Sequence, residues 1–106
     1  METRNLTDLI YFDEEIPRTE VLGESDQLWS QVICLQGSQG VGPLSDERAD
    51  GLMVVLTGEV AVQLGKGRAR MRQWETVMVR AREELTVRNA SPEPSVVLLV
   101  LAPPPS

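Results

Sequence analysis

The stretch Leu52–Arg72, LMVVLTGEVAVQLGKGRARMR, decides the fold. Its apolar side chains recur every second residue and not at the helical period. Val60, Val62 and Leu64 alternate with Ala61 and Gln63, while Ala69 and Met71 alternate with Arg68, Arg70 and Arg72. A strand sends successive side chains to opposite faces, so each segment reads as a strand with one buried face. Thr57-Gly58-Glu59 and Gly65-Lys66-Gly67 divide the stretch into three such strands. Both breaks read as hairpin turns, where glycine accepts the positive φ of a tight reversal.

Outward from this stretch the same pattern continues. Val77 and Val79 flank Met78, and Leu85 and Val87 flank Thr86. Asn89 to Pro94 is a turn rich in breakers. The run Val96–Leu101 after it is apolar almost throughout, and it is short enough to read as a strand buried on both faces. Upstream, Leu28–Leu35 is a further strand, residues 37–40 are a loop, and Pro43 to Asp50 is polar and irregular. Residues 5–12 read as an edge segment packed on the barrel in preference to a helical turn. Pro103-Pro104-Pro105 cannot pair in a sheet and reads as an extended, mobile tail. The chain 1–106 is therefore expected to be one all-β domain, an antiparallel barrel or jelly-roll sandwich of about seven to nine strands. Its core spans about residues 28–102, with 1–27 packing on the barrel and 103–106 as the tail.

Composition narrows the chemistry. A length of 106 residues fits one domain. Hydrophobic residues are 42% of the chain but aromatic ones only 4%, so aliphatic side chains must fill the core. There is no histidine, which removes the usual proton carrier near neutral pH and a principal transition-metal ligand. The single cysteine, Cys34, excludes an intrachain disulfide and a thiolate cluster. It lies in the apolar run Val32–Leu35 and reads as a buried thiol. The net charge of −6 argues against nucleic acid as a partner. That charge is uneven: residues 1–50 carry −8 and residues 51–106 carry +2. No run reaches the roughly 18 apolar residues of a membrane span, and the N-terminus lacks a leader-like apolar stretch. A cytoplasmic, membrane-free protein is the expectation.

Several segments, in order and spacing, resemble the small single-domain cupins over about residues 28–103. Leu35 to Gly40 (LQGSQG) looks like the loop before the first cupin motif, and Val54 to Glu59 (VVLTGE) like its end. Glu75 to Val79 (ETVMV) looks like the strand opening the second motif, Arg88 to Ser91 (RNAS) like its end, and Leu101 to Pro104 like a frequent cupin ending. The resemblance implies a cupin-like barrel, and a homodimer, since small cupins commonly pair their sheets. Counting back from Gly58 puts the motif's glutamate at Gly51. The two histidine positions fall on Ser45 and Glu47 in the shorter spacing, or on Leu44 and Asp46 in the longer. Counting back from Asn89 puts the second motif's histidine at Leu85, its proline at Arg80 and its glycines at Trp74 and Arg82. One carboxylate opposite Gly51 and Leu85 does not make a transition-metal site, so no metal and no cofactor are expected.

Ser45, Glu47, Gly51 and Leu85 are thus the vestigial pocket positions in the shorter register, and alternation turns Met53, Val55 and Val87 inward beside them. The lining is mainly aliphatic. Either it fills the barrel or it leaves a cavity for a small apolar or amphipathic ligand. Arg68, Arg70 and Arg72 share one strand face and are candidate anion contacts; the competing reading is a solvated face, or pairing with acids such as Glu59 or with the acidic half of a second subunit. The functional expectation is a metal-independent ligand-binding or interaction module. The alternative is a metal-independent isomerase or lyase working with carboxylate and arginine.

Overall fold

A computed structural model of the chain describes residues 1–106. Nine strands follow one short 3₁₀ helix, Leu6–Leu9: β1 (Arg18–Glu24), β2 (Trp29–Leu35), β3 (Gly40–Leu44), β4 (Asp50–Thr57), β5 (Glu59–Leu64), β6 (Gly67–Arg72), β7 (Thr76–Val79), β8 (Leu85–Asn89) and β9 (Ser95–Ala102). They form two antiparallel sheets that face each other. One has the order β1-β2-β9-β4-β7 and the other β3-β8-β5-β6. No helix is long and apolar enough to cross a membrane.

The period-two segments become strands with one face turned into the space between the sheets. Ile33, Leu35, Met53, Val55, Val87 and Val97 are fully buried there. Each such aliphatic side chain contributes ~2 kcal/mol by leaving water. The apolar run Val96–Leu101 is the middle of the larger sheet, paired with β2 on one side and β4 on the other.

Five expectations need correction. Gly58 does not make a hairpin, because β4 and β5 belong to different sheets. With φ at 81° it turns the chain across the sandwich, and a Cβ there would stand 2.5 Å from the Pro94 carbonyl oxygen. Only β5 and β6 form the expected hairpin, from Glu59↔Arg72 to Leu64↔Gly67. The edge strand of the N-terminal region is Arg18–Glu24, so the sheet begins before residue 28. Residues 5–12 instead hold the 3₁₀ turn, whose first N–H groups are met by Asn5 Oδ1 accepting from Thr7 N at 3.0 Å. That turn places Leu6, Leu9 and Ile10 over Val32, Cys34 and Val96 on the outer face of the larger sheet. Cys34 is buried there, and burial pushes its thiol pKa up. Finally, the segment Gly40–Leu44 is a strand, and the tail after Pro103 is docked: Ser106 N donates to Asp46 Oδ1 at 2.9 Å.

Asn89 clasps the closed end of the sandwich. Its Nδ2 donates to the carbonyls of Gly37 (2.9 Å), Ser91 (3.1 Å) and Glu93 (3.1 Å), which joins the loop before β3 to the turn before β9. Two bulky residues hold left-handed backbone, Trp74 at φ 73° and Arg82 at φ 76°. They are the two positions at which counting from Asn89 set the second motif's glycines. Neither is a glycine, so each carries ~1–2 kcal/mol of strain. Arg82→Gly should therefore raise stability by about 1 kcal/mol, while Gly58→Ala should lower it by about 2 kcal/mol or more. Thermal unfolding of the two variants checks both signs.

Candidate functional site

Along each inward-facing strand the packing changes from filled to open. On β2 the closed half is Ile33 and Leu35, and the open half is Trp29 and Gln31. On β9 the corresponding residues are Val97, then Leu99 and Leu101; on β8 they are Val87, then Leu85. The open ends enclose a pocket of about 270 Å³ at the barrel mouth. Its walls are apolar, with Trp29, Leu44, Val79, Leu85, Leu99 and Leu101. Its rim is polar, with Gln31, Ser45, Asp46, Arg80 and Glu83.

The structure separates the expected site residues. Leu85 and Ser45 line this pocket. Met53, Val55 and Val87 face inward but lie beneath it, wholly enclosed in the aliphatic core. Glu47 is exposed and takes no part in the lining, so of the shorter register only Ser45 and Leu85 reach it. Leu44 and Asp46 both line the mouth, and Leu44 is the cross-strand partner of Leu85. Gly51 is buried without reaching the lining, because the space a side chain would need is taken. A Cβ on Gly51 would stand 2.8 Å from Leu101 Cδ2 and 3.5 Å from Val79 Cβ.

Asp46 is the one acid at the ligand positions of the longer register. Its Oδ2 accepts from the backbone N–H groups of Arg48 (2.9 Å) and Ala49 (2.8 Å). Its Oδ1 accepts from Ser106 N and from Ser106 Oγ at 3.1 Å. These donors, Ser106 N foremost, hold its pKa far below the usual carboxylate range. Asp46 is thus a cap whose charged form is favoured by its donors and which ties the β3–β4 loop to the tail. The set Leu44, Asp46, Gly51 and Leu85 offers one already occupied carboxylate, and no three acidic or thiol side chains converge on a common point. The donor set does not fit a transition metal.

The arginine ladder also divides. Glu59 accepts from Arg70 Nη1 at 2.7 Å and from Arg72 Nε at 3.0 Å. This pairing, with Arg72 first, lowers the Glu59 pKa. Arg68 has no such partner, and Arg88 of β8 stands on the same face across Ala61.

Sequence reasoning missed Trp29, Gln31, Leu99, Leu101 and Glu83 as pocket residues. Arg80 is visible in the sequence only as the residue standing where the motif has proline. On β9 both phases of the alternation are apolar, so period two carries no facing information there. On β2 the phase Trp29-Gln31-Ile33 is readable, but only pairing with β9 shows that it faces the mouth.

No family model and no curated protein matches the sequence. Many solved structures match the fold. The protein TT1209 from Thermus thermophilus superposes with a TM-score of 0.92 at 27% identity, covering 99% of this chain and 100% of that one. An RmlC-like cupin protein from Desulfovibrio desulfuricans gives 0.87 at 22% identity over 98% of each chain. An uncharacterized conserved protein with a double-stranded β-helix domain from Klebsiella pneumoniae gives 0.89 at 16% identity, covering 97% of this chain and 90% of that one. Two facing antiparallel sheets in this strand order, open at one end over a pocket, make the chain a small single-domain β-barrel of the cupin fold.

Proposed function

We propose that the chain is a metal-independent cupin-like binding domain that takes a small apolar or amphipathic ligand at the barrel mouth. The observation that carries this reading is the pocket itself, about 270 Å³ with aliphatic walls, a Trp29 face and a charged rim. Small-molecule sites usually measure about 300–1,000 Å³, so the ligand is small. A sugar nucleotide fits poorly, since its hydroxyls would face leucines at ~1–3 kcal/mol per unpaired group. Arg80 is the one cation of a rim that also carries Asp46 and Glu83, and it is where a carboxylate head group would be held. A catalytic alternative needs a carboxylate free to move a proton beside an arginine. Asp46 has both oxygens committed to other donors, and Glu83 has one oxygen held by the Arg80 backbone N–H at 2.9 Å; the aliphatic walls are what favour binding over catalysis.

We infer further that the domain works as a homodimer. Leu52, Val54, Leu98, Val100 and Met78 neighbour one another on the outer face of the larger sheet, with Leu52 and Met78 exposed. A second copy laid on that face covers a self-complementary aliphatic patch. A lone buried thiol fits a reducing compartment, so the cytoplasm is the inferred location.

Three measurements test these readings. In a Trp74→Phe background Trp29 is the sole tryptophan, and octanoate should change its emission saturably; Arg80→Gln should weaken octanoate about 5-fold and leave octanol unaffected. Emission indifferent to both compounds refutes the mouth as a ligand site. Leu85→His should lower stability by ~3 kcal/mol, because the imidazole would be buried among leucines and valines without partners; an unchanged melting temperature would mean that the floor is open. Light scattering should give about twice the chain mass of 11.7 kDa, and Leu52→Asp should return it to one. A wild-type monomer across salt concentrations removes the dimer.

A further inference from the structure

The outer face of the smaller sheet concentrates positive charge in a chain that is acidic overall. Four of its nine arginines, Arg68, Arg70, Arg72 and Arg88, stand on β6 and β8. Between them runs β5, and its register places Ala61 directly between Arg70 and Arg88. Neighbouring strands lie about 4.8 Å apart, so the two arginine Cα atoms are about 10 Å apart with only a methyl group between them. The next row along the sheet is Arg68–Gln63–Thr86. The result is a depression of about 470 Å³ lined by Arg68, Arg70, Arg88, Gln63 and Thr86 over the Ala61 floor.

Its donors are held in place but not used up. Arg70 leans across β5 beside the Glu59–Ala90 row, with Nη1 donating to Glu59 at 2.7 Å and to the Ala90 carbonyl at 3.3 Å. Arg88 is steadied by one long bond from Nη1 to the Ser38 carbonyl, 3.4 Å. Each guanidinium carries five N–H donors, and Nε and Nη2 of both have no partner within the chain. Arg68 adds a third cation with no acidic partner. Glu59 offsets one charge, and Arg72 is spent on it.

We propose that this depression binds the phosphate group of a small phosphate monoester. Arg70 and Arg88 flank a methyl-floored gap, with Arg68 as a third cation at one end, so a tetrahedral oxyanion seated there is within reach of donors from three residues. A planar carboxylate would need only one fork. With Arg72 and Glu59 cancelling each other, three cations remain, which favours a dianion over a singly charged group. The site is on the outside of the barrel and separate from the mouth pocket, so it survives if the mouth proves empty.

The test is titration of the whole chain with phenyl phosphate, followed by backbone amide NMR. Saturable shifts are expected at Ala61, Gln63, Arg70 and Arg88, weakening with added salt. Arg88→Gln should weaken binding about 10-fold, Ala61→Glu should abolish it, and Arg18→Gln, on the opposite sheet, should leave it unchanged. The melting temperatures of the variants show that each is folded, and Arg88→Gln, an exposed change, keeps the test valid if Ala61→Glu unfolds. Non-saturating shifts, shifts spread over all the arginines, or equal binding by Arg88→Gln would overturn the proposal. Dimethyl phosphate should bind more weakly than the monoester. An oligonucleotide that binds more tightly than phenyl phosphate would reassign the face to a phosphodiester backbone and overturn the monoester.

Discussion

The structure depends on β9 being paired along both edges. Ser95–Leu101 matches Trp29–Leu35 of β2 residue by residue without a shift, and its other edge carries β4 with one irregularity between Val55 and Thr57. A strand so placed has no solvent edge, and both of its faces must be covered. The inward face is covered by the second sheet and the outward face, at Val96, by Leu6, Leu9 and Ile10 from the N-terminal turn. That is why the first residues of the chain belong to the fold. The same strand supplies Leu99 and Leu101 to the pocket wall, so the geometry of the mouth is set by the most constrained element of the molecule.

The all-β class and most strands were legible because one-sided burial imprints period two, as in Val60–Leu64 and Arg68–Arg72. Pairing was less legible. Gly58 advertises a reversal, but a glycine at positive φ serves a crossover as readily as a hairpin, and only the partners of β4 and β5 distinguish them. The edge strand Arg18–Glu24 went unread because an edge needs no strong apolar face, and its burial alternates only weakly. The second motif's register was legible by counting, and the left-handed Trp74 and Arg82 mark its two glycine positions in the backbone itself. The first motif's register was not. Its two spacings differ by one residue in a polar loop without periodicity, and residues of both, Leu44 and Asp46 as well as Ser45, stand at the mouth.

The two faces of the smaller sheet offer opposite environments a few ångströms apart. Inward, Val60, Val62 and Val87 are dry and close-packed. Outward, the alternate residues Glu59, Ala61, Gln63 and Arg88 form a wet, charged surface with one small residue at its centre. Alternation alone produces this division, and it lets a single thin sheet close a barrel and present a separate polar surface.

Leu101 against Gly51 bears on how sequences of this fold can move from one chemistry to another. A side chain introduced at Gly51 meets Leu101 Cδ2, the end of a rotatable side chain, so Leu101 must turn aside to admit it. The two positions are in contact, and the effects of substitutions at them are therefore coupled and need not add. A change of chemistry at this point of the barrel passes through the leucine as well as the glycine.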